Sequence, residues 1–220
     1  MPSVVTFDLF SALTDSRTGG AAVFDTWASR RSWPATGEQV YDWWDRLNKA
    51  AQGGATDWVP YATLAERALG QTYRDLGLDG DVGADVTGLL DSQANWPLWP
   101  DVPQGLRRIG AAHRVGILSN VDDELVVRTR AASLFSPELV FTSERLGAYK
   151  PDARIYQRAR DACGGELVHI ATSARDVRGA VEAGIDVVHL RRPGHRLDPA
   201  GPAPTHAVGD LDELAQLLGS

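Results

Sequence analysis

The chain has 220 residues, 43% hydrophobic and 23% charged, an ordinary globular composition that excludes disordered and fibrous classes. Its apolar runs, such as ELVHIA, are too short to span a bilayer, and a net charge of -7 argues against nucleic acid or an anionic membrane as the main partner. Cys163 stands alone, so no intrachain disulfide can form; with no basic flank or cleavage site at the N-terminus, the expected location is a reducing cytoplasm.

Val4 to Phe7 is β-branched and aromatic and predicts a short buried strand ending at Asp8. From about Gly20 to Leu90 the pattern turns helical. VYDWWDRLNKA places Val40, Trp43, Trp44 and Leu47 on one face, and YATLAERAL repeats the three-and-four spacing. Trp43 and Trp44 are expected in the interior of this segment, with Trp27, Trp33 and Trp58 as candidates for a pocket wall. WPLWPDVP stiffens the chain and marks the return from an insertion.

Beyond Pro100, helices and strands alternate. PQGLRRIGAA predicts a helix, RVGILSN a strand, DDELVVRTRAASLF a helix, ELVFTSE a strand and DARIYQRARDAC a helix. LVHIATS, DVRGAVEAG, DVVHL, THAV and LDELAQLLG continue the alternation, while RRPGHRLDPAGP predicts a surface turn. The expected fold class is α/β, a Rossmann-like parallel sheet core flanked by helices, with an inserted helical cap. The expected boundaries are 1–14 and 96–220 for the core and 15–95 for the cap.

In such sheets, ligands bind beyond the carboxyl ends of the strands. The residues there are Asp8, then Ser119 and Asn120, then Thr142, Ser143 and the nearby Lys150, then Thr172, Ser173 and Asp176. Each alone has a bland reading: a strand-end cap for Asp8, a helix N-cap for Ser119, a surface cation for Lys150. Their convergence on one sheet edge favours a catalytic site. An ionised carboxylate can attack carbon or phosphorus, a hydroxyl and an amide can donate to an anion, and a lysine can offset its charge.

FDLFSAL, LSN, YKPDARIY and TSARD, in this order and spacing, resemble the haloacid dehalogenase (HAD) superfamily. The resemblance implies an aspartate nucleophile at Asp8, a covalent aspartyl intermediate, Lys150 and Asp176 beside it, and a small-molecule substrate. It leaves a homodimer open.

Phosphatase-like members carry a second Asp two residues after the nucleophile as general acid, and two acids in the last motif to hold magnesium. Here those features are replaced by Phe10 and by Asp176 alone. The sequence is therefore more similar to the 2-haloacid dehalogenases, which need neither metal nor proton donor, because halide leaves as a stable anion. Two alternatives remain: a magnesium-dependent phosphatase of small phosphate esters, or a catalytically attenuated scaffold that binds a ligand. Ala12 and Ala171 motivate the second, because the family usually places hydroxyl side chains at these positions. The resemblance also implies a cap arginine gripping the substrate. Arg30 and Arg31 lie nearest that register, and Arg175 is a further candidate for a substrate carboxylate. Expected substrate contacts are thus Phe10, Asn120, Ser173, Arg175 and Arg30, with no metal ligands.

Overall fold

The computed structural model describes residues 4–220; residues 1–3 of the expected first core segment lie outside it. The elements follow as β1 (Val4–Phe7), α1 (Ser16–Arg31), α2 (Gly37–Gly53), α3 (Tyr61–Leu76), α4 (Val82–Ser92), α5 (Val102–Gly110), β2 (Arg114–Ser119), α6 (Asp123–Val126), β3 (Val140–Thr142), α7 (Ser143–Leu146), α8 (Ala153–Ala162), β4 (Leu167–Ala171), α9 (Ala174–Glu182), β5 (Asp186–Leu190), β6 (His206–Val208) and α10 (Leu211–Leu217).

The six strands form one all-parallel sheet in the order β3-β2-β1-β4-β5-β6. β1 is central because all four of its residues are buried, which suits a strand covered on both faces. Its register sets Phe7 between Ile117 and Ile170. One apolar cluster gathers Phe7 with Leu106 and Ile109 of α5 and Leu211 and Leu214 of α10, and continues into Phe24, Trp44 and Leu69 of the helical segment. A second cluster on the opposite face joins Leu118 and Phe141 to Ile155 and Tyr156 of α8 and Val177 and Ala180 of α9. This is the doubly covered α/β fold that the sequence pattern predicts.

Helices α1 to α4 pack on one another in sequence order. α2 starts with a reciprocal capping box: Thr36 accepts from the Gln39 backbone, and the Gln39 side chain accepts from the Thr36 backbone. Its buried face is Val40, Tyr41, Trp44, Asn48 and Gln52, rotated from the expected Val40, Trp43, Trp44 and Leu47. Trp43 instead turns partly outward, donating to Asp75 at 2.9 Å under the Arg46 guanidinium.

Two further expectations are corrected. The helix predicted through DDELVVRTRAASLF stops at Val126, where the Thr129 hydroxyl takes the Val126 carbonyl at 2.8 Å and converts the chain to tight turns. The surface turn predicted at RRPGHRLDPAGP buries its second residue, Arg192, while its other residues are exposed or half-exposed.

Candidate active site

The strand order reverses between β1 and β4, so the crevice of the sheet opens above their carboxyl ends. Asp8 follows β1 directly, its backbone N–H extending the ladder to the Ile170 carbonyl at 3.0 Å. Lys150 lies beyond β3 and Asp176 in the first turn of α9. The Lys150 ammonium donates to Asp8 Oδ1 at 2.7 Å, to Asp176 Oδ2 at 2.6 Å and to the Leu118 carbonyl at 2.9 Å, which uses all three of its protons.

All three side chains are buried. Burial pushes the Asp8 carboxyl above the ordinary range; Lys150 opposes this and the Asp176 charge adds to it. Burial also acts against charge on Asp176, but Lys150 and His169 outweigh it and hold that carboxyl well below the usual range. For Lys150 the two carboxylates overcome burial and raise its pKa. The cluster therefore sets an Asp8 carboxyl that resists ionisation beside an Asp176 carboxylate and a Lys150 ammonium that favour their charged forms, away from bulk water.

Asp176 is fully engaged. Its Oδ1 accepts from Tyr156 Oη at 2.7 Å, and the His169 ring nitrogen lies 3.2 Å from both oxygens. The other His169 nitrogen meets Thr6 Oγ1 at 3.0 Å. Tyr156 and His169 escaped the sequence reading: Tyr156 reads as an apolar helix position, and His169 as a strand interior.

Above Asp8 lies a cavity of about 60 Å³. On this scale a water needs roughly 10–15 Å³, so the space suits a ligand of about five heavy atoms. Phe10, Tyr41, Trp44, Tyr61 and Trp96 form its aromatic wall, with Phe10 edge-on to Trp96 at 5.9 Å between ring centres. Trp27 and Trp33 pack instead on Phe24 and Tyr73, and Trp58 lines a separate surface hollow. The pocket-wall expectation for these three is corrected.

Polar groups meet the same cavity. Ser119 Oγ and Asn48 Oδ1 are buried there without a hydrogen-bond partner among the described residues. Ser173 lines it while capping α9 through the Asp176 N–H at 3.3 Å. Asn120 has another task. Its amide nitrogen donates to Gln52 Oε1 at 2.9 Å and to the Lys150 carbonyl at 3.0 Å, while its oxygen accepts from the Lys150 N–H at 2.7 Å. With both amide protons committed, Asn120 anchors the Lys150 backbone and has no donor left for a ligand.

The arginines separate sharply. Arg30 is exposed and away from the cavity. Arg31 makes a two-point ion pair with Asp85 at 2.7 Å on each arm, between the rings of Trp27 and Trp33. Neither reaches the site. Arg175 does line the cavity, donating to the Lys49 carbonyl and, at 3.0 Å, to Gln52 Oε1. Burial lowers its pKa, yet a guanidinium stays charged. Lys49, also at the cavity, is paired with Asp45 at 2.6 Å.

These donors do not fit a magnesium ion. Magnesium needs near-octahedral oxygen ligands including carboxylates. Both Asp176 oxygens are taken, the Lys150 ammonium fills the space between the two acids, and position 10 presents a ring. No cluster of three His, Cys, Asp or Glu suited to a metal occurs among the described residues, and no described helix is long and apolar enough to cross a membrane.

A sequence model of haloacid dehalogenase-like hydrolases matches residues 2–184. The chain is 32% identical over 161 residues to (S)-2-haloacid dehalogenase 4A of Burkholderia cepacia, covering 70% of this chain and 69% of that one. It is 27% identical over 167 residues to the (S)-2-haloacid dehalogenase of Pseudomonas sp. (strain YL), covering 73% and 72%. Among solved structures, a defluorinating L-2-haloacid dehalogenase superposes with a TM-score of 0.83 at 26% identity, covering 100% of this chain and 96% of that one. Sheet order, site geometry and these likenesses agree: this chain belongs to the haloacid dehalogenase-like hydrolases.

Proposed function

We propose that this hydrolase is a metal-independent dehalogenase of short 2-halo carboxylic acids, acting through Asp8. One observation carries the reading: Lys150 bridges Asp8 and Asp176 at 2.7 and 2.6 Å, while position 10, where a phosphatase keeps its general acid, is Phe10. An attacking carboxylate supported by an ammonium, with no proton donor beside it, suits a leaving group that departs as a stable anion. The relatives named (S)-2-haloacid dehalogenases favour the S configuration.

In the first step the Asp8 oxygen not bound to Lys150 attacks C2 from the side opposite the halogen. The new C–O bond forms as the carbon–halogen bond breaks, and halide leaves with the bonding pair. The substrate carboxylate faces Arg175, and the Ser119 hydroxyl is free to donate to it or to the halide. In the second step water, oriented by Ser173, attacks the ester carbonyl of Asp8, whose oxygen is polarised by the Lys150 ammonium that Asp176 holds in place. Breakage of the acyl C–O bond returns the Asp8 carboxylate, a 2-hydroxy acid of inverted configuration and one proton. Helices α1 to α4, read as a cap, exclude bulk water and strengthen the electrostatics of the cluster.

Halide release from a panel of 2-halo acids in EDTA tests this, with p-nitrophenyl phosphate plus magnesium as the contrast. Turnover of the halo acids and none by Asp8→Asn is the expected result. Phosphatase turnover that EDTA abolishes would overturn it. A single turnover in heavy-oxygen water should label Asp8 before the product.

A further inference from the structure

Arg192, in the loop after β5, is a buried cation with no part in the chemistry proposed for Asp8. Its Nε and Nη2 both donate to the Ala12 carbonyl, at 3.1 and 3.0 Å. Nη1 lies 2.9 and 3.0 Å from the two oxygens of Asp101, which also accepts the Leu211 N–H at 2.9 Å. The guanidinium sits 5.2 Å over the Trp99 ring. Trp99 in turn donates its indole N–H to the Ser11 carbonyl at 2.8 Å and its backbone N–H to the Leu13 carbonyl at 3.0 Å.

Three successive carbonyls, at Ser11, Ala12 and Leu13, are therefore held from outside by two residues that are themselves tied down. The loop needs that support. Ser11 adopts φ 78°, a region that side chains other than glycine rarely occupy and that persists only where surroundings impose it. The same loop follows Asp8 directly and supplies Phe10 and Ser11 to the cavity wall. Position 12 is alanine, with no hydroxyl of its own to brace the nucleophile. Charge-assisted bonds to the backbone supply the bracing instead.

We propose that Arg192, seated on Asp101 and Trp99, is a positioning residue that locks the Phe10–Leu13 loop and so aims Asp8; this rests on Asp8 being the attacking group. Ala12 is then compensated rather than a mark of lost activity.

The test compares Arg192→Met and Arg192→Lys with the unaltered enzyme, using 2-chloropropionate well below the unfolding temperature of each. Misaimed attack should lower kcat of Arg192→Met by roughly 10- to 100-fold with KM nearly unchanged, and Arg192→Lys should recover part of it. The crystal structure of Arg192→Met should show Ser11 relaxed to negative φ. Unchanged kcat in folded Arg192→Met, or an unmoved loop, overturns the proposal. Full activity in Asp8→Asn would sink the nucleophile reading separately. If no 2-halo acid is turned over, the loop conformation decides alone.

Discussion

The Arg175 guanidinium rests on the side-chain oxygen of Gln52, 3.0 Å away, and no carboxylate pairs with it among the described residues. A half-buried arginine held by a neutral amide keeps its full charge available to an anion in the cavity. Gln52→Glu would place a carboxylate at the same point and neutralise it. The expected result is a KM for 2-halo acids raised by about tenfold or more, on the scale of 1.4 kcal/mol per decade, with a smaller change in kcat. Steady-state kinetics decide this; an unchanged KM would remove Arg175 from substrate recognition.

Lys150 is the ammonium that bridges Asp8 and Asp176. Lys150→Met leaves two buried acids facing each other, and breaking such a buried pair costs about 3–5 kcal/mol. Adding Asp8→Asn removes one of the opposed charges, so the double variant should be more stable than Lys150→Met alone. Urea unfolding at pH 7 measures both differences. Additive losses would mean that the two side chains do not interact.

The two acids are shifted in opposite directions, so their contributions are lost at different pH as the solution is acidified. Attack needs ionised Asp8, whose pKa is raised by burial, so kcat should fall on the acid side at a pH above the ordinary carboxylate value. Asp176 is depressed in the fold, so its stabilisation is present above its unfolded pKa and lost as pH falls through the lower folded value. Asp176→Asn should therefore be destabilising at pH 7, with the gap closing below about pH 4. A gap that stays constant through that range would contradict the assignment.

The strand-end residues were legible because each polar side chain interrupts an apolar run where a parallel sheet opens. Asp8 and Ser119 needed only that rule; Lys150, beyond α7, and Asp176, inside α9, also needed the resemblance carried by YKPDARIY and TSARD. Gln52 and Asn48 were not legible, since the two tryptophans at 43 and 44 draw the apparent apolar face, whereas the cavity rewards polar groups on the buried side of α2. Arg192 was hidden for a different reason. Its partners lie 91 and 180 positions away, at Asp101 and Ala12, and nothing in a Pro- and Gly-rich neighbourhood signals them. The absence of a usable cap arginine is likewise a tertiary fact: Arg31 is spent on Asp85.

Asp122 gives the last prediction, because it joins the sheet to the helical segment. It precedes α6 but makes no side-chain cap there. Its two oxygens instead accept the backbone N–H groups of Tyr61 and Ala62, at 2.8 and 3.0 Å, in the first turn of α3. Pro60, the residue before that helix, has no capping group. The loss of an N-cap costs about 0.5–2 kcal/mol, and a carboxylate there also gains from the helix dipole. Asp122→Ala should lower stability by that amount, and Asp122→Asn, which keeps one acceptor, by less. Tyr61 also lines the cavity, so Asp122→Ala should raise KM for the halo acid as α3 loosens. Thermal unfolding and steady-state kinetics on the same samples check both; an Asp122→Ala protein as stable as the parent would show that α3 does not depend on this contact.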